Sequence, residues 1–424
     1  MSIARSHRLV RSLALAGLVS ALTTAAAWAA EPFETFTPRP VRDVLPADMI
    51  QGEHYRLAPT VRTFTFLNDF IASSDYGVFE AQSDAMLRRL IREIHAIAVL
   101  QGITLTDAYT KALAQAALSP VRGVEQLVTN PVETVKAVPT ALFDVFARVG
   151  QGIDTAVSGQ KTSYEDSALA QALQMSSYKR DYAKELGVDP YSSNPVLQKQ
   201  LDAVAWAAAA GNLTISAATM VSGSAVVAGL SYARNIEQAV NIVAAEPPSE
   251  LMIRNRAALD QMGISGRLKE QFLGQQQYSP RAKTILIAAL ASMPRTAGRD
   301  SVLEVALGAP DETMAIFYQQ LAELLNDYDE HVVPIVRLAR YNRLVVAYEQ
   351  TGKAVILAPV DWLIWDERAA SAATRIARAW KLKPGSDTLE LWITGTASPR
   401  FKKEAEALGI RVREGVGRQL PLVD

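Results

Sequence analysis

The turn that follows a predicted C-terminal strand is the stretch best suited to hold a ligand. Thr394, Gly395 and Thr396 lead from that strand into a helix that Ser398 can cap, and Lys402 lies in its first turn. Free backbone N–H groups at a helix N-terminus can receive an anion, and ligands often bind beyond the carboxyl ends of parallel strands. The spacing therefore predicts an anion-binding site, although a well-capped helix explains the same residues.

A second candidate site is an acidic cluster with one imidazole at the end of a predicted helix. It contains Asp327, Asp329, Glu330 and His331. Carboxylate oxygens are the ligands that divalent cations prefer, and acids near a helix C-terminus oppose the helix dipole unless something offsets them. These residues predict a weak metal site. The alternative is a solvated helix end before Pro334.

The sequence lacks the motifs of familiar enzymes. It has no nucleophile elbow, no His-Glu-x-x-His, no EF-hand loop, no complete P-loop and no dinucleotide fingerprint. Two Ser-x-x-Lys matches at 158–161 and 176–179, with Ser-x-Asn at 192–194, suggest a penicillin-binding pattern, but no Lys-Thr-Gly follows them. The sequence therefore predicts no catalytic residue and no cofactor, and it favours a protein that is not an enzyme.

The N-terminus has the three parts of a secretory signal peptide. Arg5, Arg8 and Arg11 precede an apolar run over 13–22, and small residues surround Ala29. The apolar run is too short for a stable membrane span. We therefore expect residues 1–29 to be a signal peptide, and the protein to be exported to the periplasm or outer envelope.

Charge and cysteine content exclude several classes of function. Loss of the three N-terminal arginines would move the formal charge from -1 to about -4, whereas nucleic-acid binding needs a basic face. The chain has no cysteine, so disulfides, a thiol nucleophile and thiolate metal ligands are all excluded. We therefore expect no nucleic-acid partner and a fold that packing alone stabilises.

A long uncharged stretch runs between Asp202 and Arg234. Residues 203–231 could form a buried helical hairpin or insert into a membrane. Polar residues such as Asn212 and Thr214, and a strong helix start at Asn194-Pro195, favour the buried hairpin. Both readings remain open at this point.

An 11-residue repeat precedes this stretch. Residues 120–129 align with residues 131–140, and eleven residues make about three helical turns, so the repeated apolar positions share one face. Such a segment, spanning 119–160, could lie on a lipid surface. The alternative is a helical arm that packs on its own core.

These patterns predict an α+β fold that is predominantly helical. The predicted order is N-terminal strands and a helix (30–118), the repeat segment (119–160), a central helical bundle (161–335) and a small α/β domain (336–424). The last of these reads β-β-α-β-α-β, with its final three strands parallel and Asp361 capping the first helix.

Three stretches resemble an uncharacterised family of exported bacterial proteins. They are residues 55–75, the segment 187–195 (Gly-Val-Asp-Pro-Tyr-Ser-Ser-Asn-Pro), and Leu-Trp-Ile-Thr-Gly at 391–395 followed by Ser398-Pro399. The resemblance covers most of the chain after the signal peptide. It implies one shared architecture and supplies no catalytic residues.

The leading functional hypothesis is an exported envelope protein that acts as a binding or interaction module. One alternative is a membrane-associated or lipid-handling protein, because of residues 119–160 and 203–231. A second alternative is a hydrolase with an unrecognised site. The sequence specifies no ligand, partner or oligomeric state; an envelope protein or a lipid surface is the partner class that it suggests.

Overall fold

The computed structural model of the protein describes residues 33–104, 106, 109–111, 165–211, 234–385, 388–420 and 422. The predicted signal peptide, the 11-residue repeat and residues 212–231 of the uncharged stretch lie outside these ranges, so those hypotheses stay predictions.

Alternating apolar and polar residues build an N-terminal antiparallel sheet. Its strands are β1 (Arg39–Pro40), β2 (Tyr55–Leu57), β3 (Thr60–Phe64), β4 (Leu67–Ser74) and β5 (Gly77–Gln82). In β4 the side chains of Asn68, Phe70 and Ala72 are buried, and those between them are more exposed, which is the period of a half-buried strand. The path β1-β3-β4-β2 is extended by β5, which also pairs with β4.

Helices follow the sheet with polar residues at their starts. They are α1 (Ala47–Ile50), which lies between the first strands, and then α2 (Asp84–Thr104), α3 (Glu165–Glu185), α4 (Pro195–Gly211), α5 (Arg234–Ala245), α6 (Pro248–Gln261), α7 (Gly266–Leu273), α8 (Pro280–Ala291), α9 (Asp300–Ala306) and α10 (Glu312–His331). The predicted helix start at Asn194 is confirmed, because its side chain accepts a backbone N–H from the first turn of α4. Ser83 and Ser279 cap α2 and α8 in the same way.

The C-terminal region is a mixed sheet with helical crossovers. Its elements are β6 (Ile335–Tyr341), β7 (Leu344–Glu349), β8 (Ala354–Ala358), β9 (Trp362–Leu363), α11 (Glu367–Trp380), β10 (Leu389–Ile393), β11 (Thr396–Ala397), α12 (Pro399–Ala407) and β12 (Arg411–Arg413). The order is β12-β10-β8-β7-β6, and the predicted parallel pairing of β8, β10 and β12 is confirmed. Beyond the carboxyl ends of β8 and β10, the short strands β9 and β11 pair in parallel.

The predicted cap of α11 is wrong. Asp366 caps that helix, since its carboxylate accepts the N–H of Ala369 at 2.7 Å. Asp361 lies five residues earlier, in the connection after β8, and its carboxylate serves another helix, as described below.

The prediction of a central helical bundle is also wrong. The chain is a mixed α+β fold with two five-stranded sheets, one antiparallel and one mixed. Leu286 of α8 and Leu325 of α10 share one apolar core with Val355 and Trp392 of the C-terminal sheet, and Leu87 of α2 packs with the N-terminal sheet. Helical periodicity shows which face of a helix is buried, but it does not show whether a helix or a sheet covers that face.

The first part of the uncharged stretch is a buried helix. Leu197, Leu201, Val204 and Ala208 of α4 are buried in a core shared with α2 and α3. Within the described ranges, no helix is long and apolar enough to cross a membrane.

Gly298 marks a close approach that the fold depends on. Its φ is +72°, and a Cβ there would lie 2.2 Å from the carbonyl oxygen of Leu338 in β6. The neighbouring residue Ala297 exchanges backbone hydrogen bonds with Val336 and Leu338, which fixes the approach.

We therefore expect Gly298→Ala to lower the free energy of unfolding by about 2–4 kcal/mol, because it adds a clash to an unfavourable φ. The control is Gly352→Ala, where φ is +86° and nothing lies within 4 Å of a Cβ; its cost should be about 1 kcal/mol. Urea unfolding of both variants measures the difference. Equal losses would show that the contact with β6 is not needed.

Candidate functional site

The predicted anion-binding turn lies at the carboxyl edge of the parallel strands, but its backbone donors are engaged within the chain. Gly395 N–H donates to Val360 O at 2.8 Å, and Thr396 N–H donates to Asp361 O at 3.0 Å. A Cβ on Gly395 would lie 2.0 Å from Asp361 O. The glycine is therefore required for close packing of two connections and leaves no room for a bound anion there.

Two carboxylates of the chain itself occupy the remaining donors. Glu414 accepts Ala397 N–H at 2.6 Å and the Lys402 ammonium at 2.9 Å, and Glu34 accepts the Ser398 hydroxyl at 2.6 Å. Burial raises the pKa of Glu414, but the bonds from Lys402 and Ala397 outweigh this and lower it overall. The donors Ala397 N–H, Ser398 Oγ and Lys402 Nζ therefore bind carboxylates of this protein's own glutamates.

The predicted metal cluster is not assembled. Asp327 is buried, Asp329 accepts the backbone N–H of Ile335 at 2.5 Å, and Glu330 is exposed. His331 Nδ1 lies 3.2 Å from the carbonyl oxygen of Asp327, not from a carboxylate. Across the described ranges no group of three His, Asp or Glu side chains is placed to hold a metal ion, so we do not propose one.

A buried acid pair joins the N-terminal sheet to the C-terminal domain. Asp361 Oδ2 accepts the backbone N–H of Asn68 at 2.8 Å and that of Asp84 at 3.1 Å. Asn68 Nδ2 in turn donates to the Asp84 carboxylate at 2.8 Å. We call this contact between Phe66, Asn68, Asp84, Asp361 and Trp362 the seam.

The electrostatics of the seam favour retention of a proton. Burial raises the pKa of Asp361 well above its usual value, and the nearby charge of Asp84 raises it further. Burial also raises the pKa of Asp84, although the hydrogen bond from Asn68 opposes this. Because the charge of Asp84 acts on Asp361, ionisation of one carboxyl group disfavours ionisation of the other, so they titrate as a pair.

Arg39 closes the seam from the side of β1. Its guanidinium lies 3.7 Å from the centre of the Trp362 ring and donates to Asn68 Oδ1 at 3.0 Å. A guanidinium over an aromatic face gains electrostatic attraction and apolar contact together. Burial lowers the pKa of Arg39 against the opposing charges of Asp84 and Asp361.

The seam also contains strained backbone. Thr65 and Phe66, with φ of 52° and 84°, form the two-residue turn between β3 and β4, and Ser83 has a φ of 125°. Such turns normally use Asn-Gly, and β-branched residues adopt positive φ at a cost. Phe66 O accepts the N–H groups of Asp361 and Trp362 at 3.0 and 3.2 Å. The C-terminal domain thus holds the turn in place.

A separate polar network surrounds Glu93 in α2. Its carboxylate accepts Arg89 Nε at 3.0 Å, Ser192 Oγ at 2.5 Å and Asn194 Nδ2 at 3.0 Å. Burial would lower the pKa of Arg89, but the carboxylates around it, Glu93 first, raise it overall. Ser192 and Asn194 belong to the segment 187–195, so this network explains that segment as the joint between α2 and α4.

Sequence reasoning missed the seam because its members are far apart in the chain: Asn68 and Asp361 are separated by 293 residues. No family model, curated protein or solved structure compared with this chain matches it. The resemblance to an exported family therefore stays a prediction.

The seam predicts effects of different size for two substitutions at Asp361. Asp361→Ala leaves two buried N–H groups without an acceptor and should lower the free energy of unfolding by about 2–4 kcal/mol. Asp361→Asn retains an oxygen that can accept both N–H groups and removes a costly buried charge, so it should change stability by less than about 1 kcal/mol at pH 7. Urea unfolding tests this. Equal destabilisation by both variants would mean that the negative charge itself is needed.

Asp327 predicts a pH dependence of stability. Burial raises its pKa to about 6, and among the described residues its Oδ2 has no hydrogen-bond partner. Because the folded state keeps this proton to higher pH than the unfolded state, stability should fall as pH rises from about 4 to about 6.

Asp327→Asn should remove that loss, making the variant more stable than wild type at pH 7.5 by on the order of 1–2 kcal/mol once solvent screening is allowed for, but not at pH 4. Urea unfolding at both pH values measures this double difference. Glu330→Gln, at an exposed position of the same helix, controls for the loss of one charge. A constant difference across pH would contradict the prediction.

Proposed function

We propose that the protein is an exported envelope protein that acts as a binding module, with its ligand surface at the carboxyl edge of β8 and β10. The observation that carries this proposal is the convergence of donors there: Trp365 N–H, Ser398 Oγ and Ala397 N–H all bind carboxylates. In open sheets, ligands bind beyond the carboxyl ends of parallel strands.

Two features favour binding over catalysis at this edge. Asp361 accepts two backbone N–H groups with its Oδ2, which is a structural use of a carboxylate. The edge is also built on strands and a helix start, and rigid elements position recognition groups well. Export rests on the sequence of residues 1–29, because an n-region, an apolar run and small residues form a signal peptide together.

The experiment is site-specific photocrosslinking of the tagged full chain in the envelope of its own cell. A photoreactive residue replaces Glu367 or Thr396, which are exposed at the edge, or Thr374, which is exposed on α11 away from it. We expect one defined adduct from both edge positions and none from Thr374. Cell fractionation of the full chain and of a chain without residues 1–29 tests export in parallel.

Adducts that are absent at the edge, or equal at all three positions, would remove the proposed binding surface. Recovery of the full chain in the cytoplasm alone would remove the envelope location.

A further inference from the structure

The first described residues of the chain lie across the C-terminal domain as an extended segment. We call residues 33–38 the strap. Glu34 N–H donates to Trp365 O at 2.8 Å, and Trp365 N–H donates to the Glu34 carboxylate at 2.6 Å. The strap is therefore held to the connection between β9 and α11 by one backbone bond and one bond to a carboxylate.

The Glu34 carboxylate is recognised by donors from two connections. Its Oε2 accepts Trp365 N–H and the hydroxyl of the buried Ser398, both at 2.6 Å. Ser398 also caps α12 by accepting Phe401 N–H at 2.9 Å, so the carboxylate lies where the helix dipole favours negative charge. Hydrogen bonds to an ionised acceptor are about twice as strong as neutral ones.

An aromatic position follows two residues later. The Phe36 ring meets Trp362 edge-on at a centroid distance of 5.8 Å and Phe66 at 6.5 Å. Phe33 packs against the apolar core of the C-terminal domain. Thr35, Thr37 and Pro38 are exposed. The surface therefore contacts a carboxylate and a ring that are two residues apart in the chain. Contacts to alternate side chains are how peptide-binding sites gain specificity for an extended peptide.

The strap has the size of a short linear motif. It carries one backbone bond to the domain, two hydrogen bonds to the Glu34 carboxylate, and contacts of the Phe36 ring with two other rings. Covalent connection to β1 gives it a high effective concentration at the groove, of millimolar order. A segment with these few contacts can open locally without unfolding the sheet.

We propose that this groove is the ligand site of the binding module, that its ligand is an extended peptide of an envelope protein with a carboxylate two residues before an aromatic ring, and that the strap occupies the groove in cis. This inference rests on the proposed function and names its ligand class. The strap is the template for the ligand, because it supplies the same groups in the same order.

The test uses the full chain and a fluorescein-labelled peptide of residues 33–40. Fluorescence anisotropy compares wild type with the double variant E34A/F36A, in which the strap has lost its carboxylate and ring. We expect the peptide to bind the double variant at least about tenfold more tightly than wild type, because the groove is then open. The same peptide with Glu34→Gln should bind about tenfold more weakly, from loss of the charge-assisted bonds.

Circular dichroism tests whether the double variant folds. The single variant Glu34→Gln in the full chain is a second and more conservative way to release the strap. Failure of the peptide to bind either folded variant would overturn the proposal. Equal binding by the Gln peptide would overturn the assignment of an acidic ligand.

Sedimentation of the intact chain tests the remaining possible occupant of the groove, which is the strap of a second copy. A dimer that dissociates when E34A/F36A is introduced would assign the groove to the strap of a second copy and overturn the choice of partner.

Failure of the proposed ligand class can also be distinguished from failure of the binding module itself. Peptide binding without edge-specific photocrosslinks retains the groove and removes the module, whereas crosslinks without peptide binding retain the module and remove this ligand class.

Discussion

The carboxylate of Asp361 is the interaction that the rest of the structure depends on. It accepts the N–H of Asp84, the first residue of α2, from 277 residues away, and the N–H of Asn68 near the start of β4. A helix N-terminus has orphan N–H groups that need an acceptor, and here the acceptor comes from the other sheet. One carboxylate therefore fixes the direction of α2 and the position of the N-terminal sheet together.

This dependence explains why unfavourable features persist at the seam. Asp84 and Asp361 are acids in contact, and Thr65, Phe66 and Ser83 have positive φ. Each costs free energy alone, and such features persist only where the surroundings determine them. Here they do, because the Asn68 side chain is bonded at both ends and Phe66 O holds two N–H groups. Hydrogen-bonded networks of this kind hold their members in one arrangement, so the unfavourable backbone angles persist.

Local signals in the sequence located the starts of elements but not their partners. Asn194 and Ser398 are helix caps as predicted, because a cap and its helix lie within four residues of each other. Asp361 was misassigned by the same rule, since it precedes a helix but bonds across the chain. The predicted cluster at 327–331 does not form, because Asp329 accepts a backbone N–H and His331 Nδ1 faces a carbonyl oxygen, while Glu330 is exposed. The bundle failed because apolar periodicity does not identify the covering layer.

At the carboxyl edge, residue chemistry alone indicated donors but not the carboxylates that accept from them. Of the residues predicted to bind an anion, Ser398 donates to Glu34, 364 residues away, and Lys402 donates to Glu414. The two glutamates differ in what depends on them. Glu414 follows β12, and the adjacent Gly415 bonds to Gly395, so its departure would disturb the sheet edge. Glu34 precedes β1, and no strand is formed through it. A ligand can therefore replace Glu34 alone, and the strap is where exchange is least costly.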